Sequence, residues 1–291
     1  MNNVFTRSWS ITKLSFAVLF KDKKLLLFPI LSVIFSILFV ISLIFPTFIL
    51  GMFNEISMNT GIAELVILFL LYLGLAFIAT FFNVSTVYII KQQFEGEKTS
   101  IKDSLKFSFS KIHLILAWSF VSAVVGVILR LLQVLARRAR GPAAIVLHIF
   151  RNILSIGWSI ATIFVVPVLV YKGTGPIESI KISSTTIKKT WGESLIRFFG
   201  LGLAEFIFIL FGGIAFIGLG LLLSLFSPIG LIIGIILAVL YVLLTVLVFS
   251  IANTVYNTAL FVYAESGKIP NGFNKNVLEN AFVRSNDKNK F

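Results

Sequence analysis

Residues 229–264 read IGLIIGIILAVLYVLLTVLVFSIANTVYNTALFVYA, and this stretch decides the fold. It holds no Asp, Glu, Lys, Arg or His. About 20 apolar residues carry a helix across a bilayer, where backbone groups must be satisfied within the segment. This run is longer than a bilayer requires. At about 1.5 Å per residue it reaches roughly 50 Å, so it is expected to tilt or to project past the membrane.

Working outward, Pro228 marks a turn, and a second long apolar run occupies 195–226 before it. Four more runs lie at 25–50, 63–90, 112–129 and 153–171. The chain has 291 residues, 58% of them hydrophobic and 13% charged, with 31 Phe and a mean hydropathy of +1.01. A soluble domain is about half apolar and about one quarter charged. A soluble globule is therefore excluded, as is disorder over most of the length. The first twenty residues carry Arg7 and Lys13 and no long apolar core, so no cleavable signal is expected. The first run reads as an uncleaved span.

Charge sets the topology. The 25 Lys and Arg residues fall into clusters around Lys23, Lys102, Arg138, Lys188 and Lys275. With six spans, all clusters except the Arg one share a face. The positive-inside rule makes that face cytoplasmic, with both termini on it, in the cell membrane. The formal charge of +13 then reads as topology and attraction to anionic phospholipid, and nucleic acid is excluded as a partner.

A repeat is superposed on the spans. Phe5, Trp9, Phe16 and Phe20 share one helical face, as do Ile101, Leu105 and Ile112, and again Ile177, Ile180, Ile187 and Trp191. Lys, Ser, Thr and Glu are read as lying opposite, the pattern of interfacial amphipathic helices. Tyr88, Tyr171 and Tyr263 each precede a Gly that is expected to stop a span. The expected fold class is all-α: a polytopic membrane protein whose six transmembrane helices form three hairpins, each preceded by a cytoplasmic amphipathic helix. The whole of 1–291 is read as one integral membrane domain, with approximate repeats at 1–98, 99–175 and 176–267 and a tail at 268–291. A short helix is expected at 274–283.

Three groups of residues carry a resemblance. Phe5, Trp9, Lys13, Asp22, Phe28 and Pro29 form the first. Phe164, Pro167, Pro176, Trp191 and Glu193 form the second. Tyr256, Asn257, Tyr263, Gly267, Pro270, Phe273, Ala281 and Phe282 form the third. Together they resemble a family of uncharacterised multi-pass membrane proteins of bacteria and archaea, a domain of unknown function. The chain also looks distantly like the membrane domain of glycerophosphodiester phosphodiesterases, without their catalytic barrel. The resemblance implies a membrane location and no reaction.

Few residues suggest chemistry. Cysteine is absent, which excludes disulfides, thiolate metal sites and cysteine nucleophiles. His113 and His148 are expected on opposite membrane faces, so no metal centre or cofactor is expected. Glu205 is the sharpest intramembrane candidate, either a proton or cation site or a neutral carboxyl bonding between helices. Asn83, Asn253 and Asn257 are further polar candidates, read first as interhelical hydrogen-bonding groups. Arg130, Arg137, Arg138, Arg140 and Arg151 are expected between spans three and four. They form either a lipid-phosphate or anion site, or a helix whose Arg side chains snorkel to the interface. Lys188 and Lys189 are headgroup candidates on the third amphipathic helix. Gly212 and Gly213 are read as packing residues or a hinge.

These residues support a non-enzymatic protein that organises lipid or binds protein partners, including further copies of itself. The alternatives are a transporter or channel using Glu205 and, last, a lipid-modifying enzyme.

Overall fold

The computed structural model describes residues 4–53, 61–191 and 200–273, with side chains described at 13–46, 64–188, 202 and 204–273. The short helix expected at 274–283 and the side chains of Phe5, Trp9, Lys189 and Trp191 lie outside them. Every regular element among the described residues is helical. The order is α1 (Val4–Lys21), a 3₁₀ turn (Lys23–Leu26), α2 (Leu27–Phe53), α3 (Gly61–Glu95), α4 (Ile101–Ser110) and α5 (Ile112–Arg138). It continues with α6 (Pro142–Ala161), α7 (Val165–Lys172), α8 (Pro176–Trp191), α9 (Gly200–Ser224) and α10 (Ile229–Ser266).

Six stretches are long and apolar enough to cross a membrane: Lys23–Pro46, Glu64–Glu95, Ile112–Arg138, Pro142–Lys172, Ala204–Ser224 and Ile229–Ser266. This is the mark of a multi-pass membrane protein. Their outer surfaces are apolar and exposed, up to 65% at Ile153 and 68% at Phe211, as lipid-facing surfaces should be. The fourth stretch begins at Pro142, not at 153. Pro142 sits in the first turn of α6, where a missing N–H costs nothing.

The chain forms two compact units. The first holds residues up to 27, 93–96 and from 188 onward. In it α9 and α10 run antiparallel. A Cβ at Gly234 would run into the backbone of Gly220, and one at Gly230 into that of Leu223. Only glycine lets the two backbones come this close. Further along, Gly212 receives the Tyr241 ring, whose hydroxyl donates to the Phe208 carbonyl at 3.0 Å. Gly212 is thus a packing residue within an unbroken α9. Helix α1 packs against both. Its Phe16 meets Phe249 edge-on at 5.2 Å, and Phe208 reaches Phe249 at 5.7 Å. Below, Phe94 and Phe273 are both buried and meet at 5.9 Å.

The second unit holds 28–92 and 97–187. Phe82 takes the rings of Phe28 and Phe35 at 6.5 and 5.6 Å, joining α3 to α2. Helices α5 and α6 are antiparallel, with Trp118 and Trp158 stacked at 5.8 Å. The fourth span is broken after Ala161 and resumes at Val165. Thr162 Oγ1 donates back to the Trp158 carbonyl at 2.8 Å, and Pro167 falls in the first turn of α7, where its missing donor is tolerated. The Phe164 N–H at the break donates to Ser183 Oγ of α8 at 3.1 Å. Trp118, Val165 and Leu169 form the core beside it, with Leu114, Val121, Trp158 and Ile180 around them.

Candidate functional site

The first unit carries an open groove of 570 Å³ between α1, α9 and α10. Lys13 and Phe16 come from α1, Phe208 from α9, and Tyr241, Leu244, Thr245, Val248 and Phe249 from α10. The amphipathic spacing of α1 puts Lys13 one turn from Phe16, on the same face. The antiparallel packing of α9 and α10 holds Phe208 level with Thr245 and Phe249. The two polar side chains of the wall are spent on backbone. Tyr241 donates to Phe208, and Thr245 Oγ1 donates to the Tyr241 carbonyl at 2.9 Å. The lining is therefore almost wholly apolar, and Lys13, itself exposed, is the one charged residue along it.

Glu205 lies on the same stripe of α9 as Phe208 and Gly212. The register set by Gly212 and Tyr241 places it level with Val248 and Phe249, half-buried, though outside the lining of the groove. Among the described residues no hydrogen bond or ion pair reaches it. Asn253 is exposed on α10, and Asn257 is half-buried with an Oδ1 that has no hydrogen-bond partner among the described residues. Asn83 belongs to the second unit. No hydrogen bond joins these four residues into one polar centre.

The Arg cluster is arranged differently from a loop. Arg130, Arg137 and Arg138 stand on α5 and Arg151 on α6, which leaves Arg140 in a three-residue turn, 139–141. Arg130, Arg137, Arg138 and Arg140 are exposed, and Arg151 donates to its neighbour Asn152 at 3.0 Å. His113, in the first turn of α5, and His148, in the second turn of α6, stand near opposite ends of that antiparallel pair. Among the described residues no three His, Cys, Asp or Glu side chains are placed to hold a metal ion.

The short helices α4 and α8 carry the remaining candidates. Helix α4 opens with a capping box: Asp103 N–H donates to Ser100 Oγ, and the Asp103 carboxylate accepts from the Ser100 hydroxyl and N–H. These donors hold the Asp103 carboxyl below the usual carboxylate range, with Lys106 and Lys102 adding to the effect. Lys102 and Lys106 on α4 and Lys181 and Lys188 on α8 are exposed. Four of their serines are not on that polar face. Ser104, Ser108, Ser179 and Ser183 are fully buried, and Ser108 bonds Ser85 of α3 at 2.7 Å. This differs from the expected arrangement. A serine is small enough to let a short helix lie close against a span, and its hydroxyl is satisfied there by a carbonyl, another hydroxyl or, at Ser183, a backbone N–H.

The groove lining was not legible as a site. The signal available was the three-residue spacing of Lys13 and Phe16; nothing local to Phe208 or Leu244 marks them.

Residues 62–273 match a family described as "Family of unknown function (DUF6159)". The N-terminal part of the resemblance, around Phe5 to Pro29, falls outside that match. No curated protein and no solved structure matches the chain.

Proposed function

The chain belongs to this family of unknown function, and on that premise we propose a non-enzymatic membrane protein that organises anionic phospholipid at the cytoplasmic face. The observation that carries the reading is the division of α4 and α8 into a buried serine stripe and an exposed lysine face. Lysines held this way beside apolar spans lie where anionic headgroups gather. In this reading the six spans form three hairpins, each preceded by an interfacial helix, and both termini are cytoplasmic in the cell membrane. Protein partners or further copies of the chain would cover part of the apolar surface. The distant likeness to the membrane domains of glycerophosphodiester phosphodiesterases belongs to the same reading.

The test is binding of the reconstituted protein's cytoplasmic face to anionic liposomes. Replacing Lys102, Lys106, Lys188 and Lys189 with Gln should keep insertion and weaken binding by about 1 kcal/mol per lysine. Unchanged binding would sink the reading.

A second reading, transport of a proton or cation, is favoured by Glu205 alone, a carboxyl within a span with no partner among the described residues.

A further inference from the structure

We propose that the groove between α1, α9 and α10 binds one anionic phospholipid, with an acyl chain along the groove and the phosphate at Lys13. The inference rests on the lipid-organising reading above and gives the lipid a specific seat.

Size is the first argument. At 570 Å³ the groove falls within the range of about 300–1,000 Å³ typical of sites that hold small molecules. The walls are the second. Phe16, Phe208, Leu244, Val248 and Phe249 are apolar, and Tyr241 and Thr245 have already directed their hydroxyls to backbone carbonyls. The interior has nothing to offer a polar ligand, and it is well matched to methylene groups. Charge is the third. Lys13 alone among the lining residues is charged, and no carboxylate of the described residues pairs with it. A plain hydrocarbon would leave that ammonium without a partner, and a free anion would leave the walls wet. An apolar chain ending in a phosphate satisfies both, since an ammonium is a compact donor well suited to phosphate oxygens.

Position supports the same ligand. Lys13 lies on α1, next to the spans α9 and α10 rather than within either. In this seat Lys13 holds the phosphate at the membrane surface while the chain descends between Phe208 and Leu244. Glu205 is level with the groove but outside its lining, so it does not confront the head.

The experiment uses the full chain in nanodiscs carrying a trace of phosphatidylglycerol with a photoreactive diazirine on its acyl chain. Labelled peptides are mapped by mass spectrometry. Labelling is expected to concentrate at Phe16, Leu244 and Val248. Filling the groove with Leu244→Trp, or independently with Val248→Phe, should lower it about tenfold. Lys13→Gln alters an exposed side chain and should leave the fold intact, while abolishing the preference for phosphatidylglycerol over phosphatidylcholine. Lys102→Gln with Lys106→Gln should leave groove labelling unchanged while liposome binding falls, so failure of the surface reading and failure of the seat are read separately.

Labelling spread evenly over Leu222 and Phe226 would mean ordinary surrounding lipid and would overturn the proposal. Full labelling in both filled variants would do the same. Stronger labelling by a photoreactive fatty acid than by phosphatidylglycerol would overturn the phospholipid assignment. Cross-links from the groove to a second copy of the chain, in place of lipid, would overturn it as well.

Discussion

Glu205 is the residue at which the competing readings part. An ionised carboxylate inside a span costs about 2.5 kcal/mol or more, so it calls for water, a partner or a proton. The native chain has no cysteine, which makes Glu205→Cys a clean reporter. In the lipid-organising reading this cysteine stays unlabelled by a membrane-impermeant thiol reagent from either side. Glu97→Cys, exposed beyond the end of α3, is the positive control and should label in inverted vesicles. Labelling at position 205 would move transport to first place. Asp103 supports a second expectation. Its carboxyl is depressed, so the support it gives α4 is complete above the ordinary aspartate range and is lost as pH falls through its lowered value. Hydrogen exchange of the α4 amides should therefore accelerate in acid. Ser100→Ala should produce the same loosening at neutral pH, at about 1 kcal/mol for the lost cap. If α4 protection is unaffected by Ser100→Ala, the capping box does not stabilise the helix.

At the scale of elements, the α9–α10 pair depends on absent side chains. Gly234→Val should cost about 1–3 kcal/mol of resistance to unfolding in detergent, because the Gly220 backbone cannot retreat far. Gly213→Val, where nothing lies within reach of a new Cβ, should cost much less, and equal losses would refute the close-approach argument. The break between α6 and α7 offers another test. Ser183→Ala removes the hydroxyl that accepts the Phe164 N–H and should lower stability by about 1 kcal/mol, read as a lowered Tm. These elements also show what could be read beforehand. The spans were legible because about 20 uncharged residues in a row admit few structures. The ends of α5 and α6 were not, since Arg137 and Arg138 read as loop by charge but stand at the end of a helix. Long side chains can carry their charge to the interface while the backbone stays helical. Ser104 and Ser183 were misplaced for a related reason. Residue type suggested water, whereas the i, i+4 spacing with Ser108 and Ser179 marked a packing stripe. The groove arises from the meeting of three helices distant in sequence, and sequence patterns do not encode that meeting.

Across the whole molecule, three spans end alike. Helices α3, α7 and α10 are each followed by a glycine of positive φ: Gly96 at 81°, Gly173 at 65° and Gly267 at 67°. In each, burial gathers toward the C-terminal part. It runs from Thr80 to Ile90 in α3, it is confined to α7 while α6 has none, and it extends from Phe249 to Phe261 in α10. These shared ends are a likeness of local structure at one end of each span. The uneven burial has a consequence for α10. Along one continuous helix, most residues before Phe249 are exposed to lipid and most from there to Phe261 are enclosed by protein. Only the upper part can respond to bilayer thickness. In bilayers of longer-chain lipids, the loop at 225–228 should sink relative to the headgroups while the surroundings of Phe249 stay unchanged. The helix would behave as a gauge of membrane depth with its zero fixed in the protein.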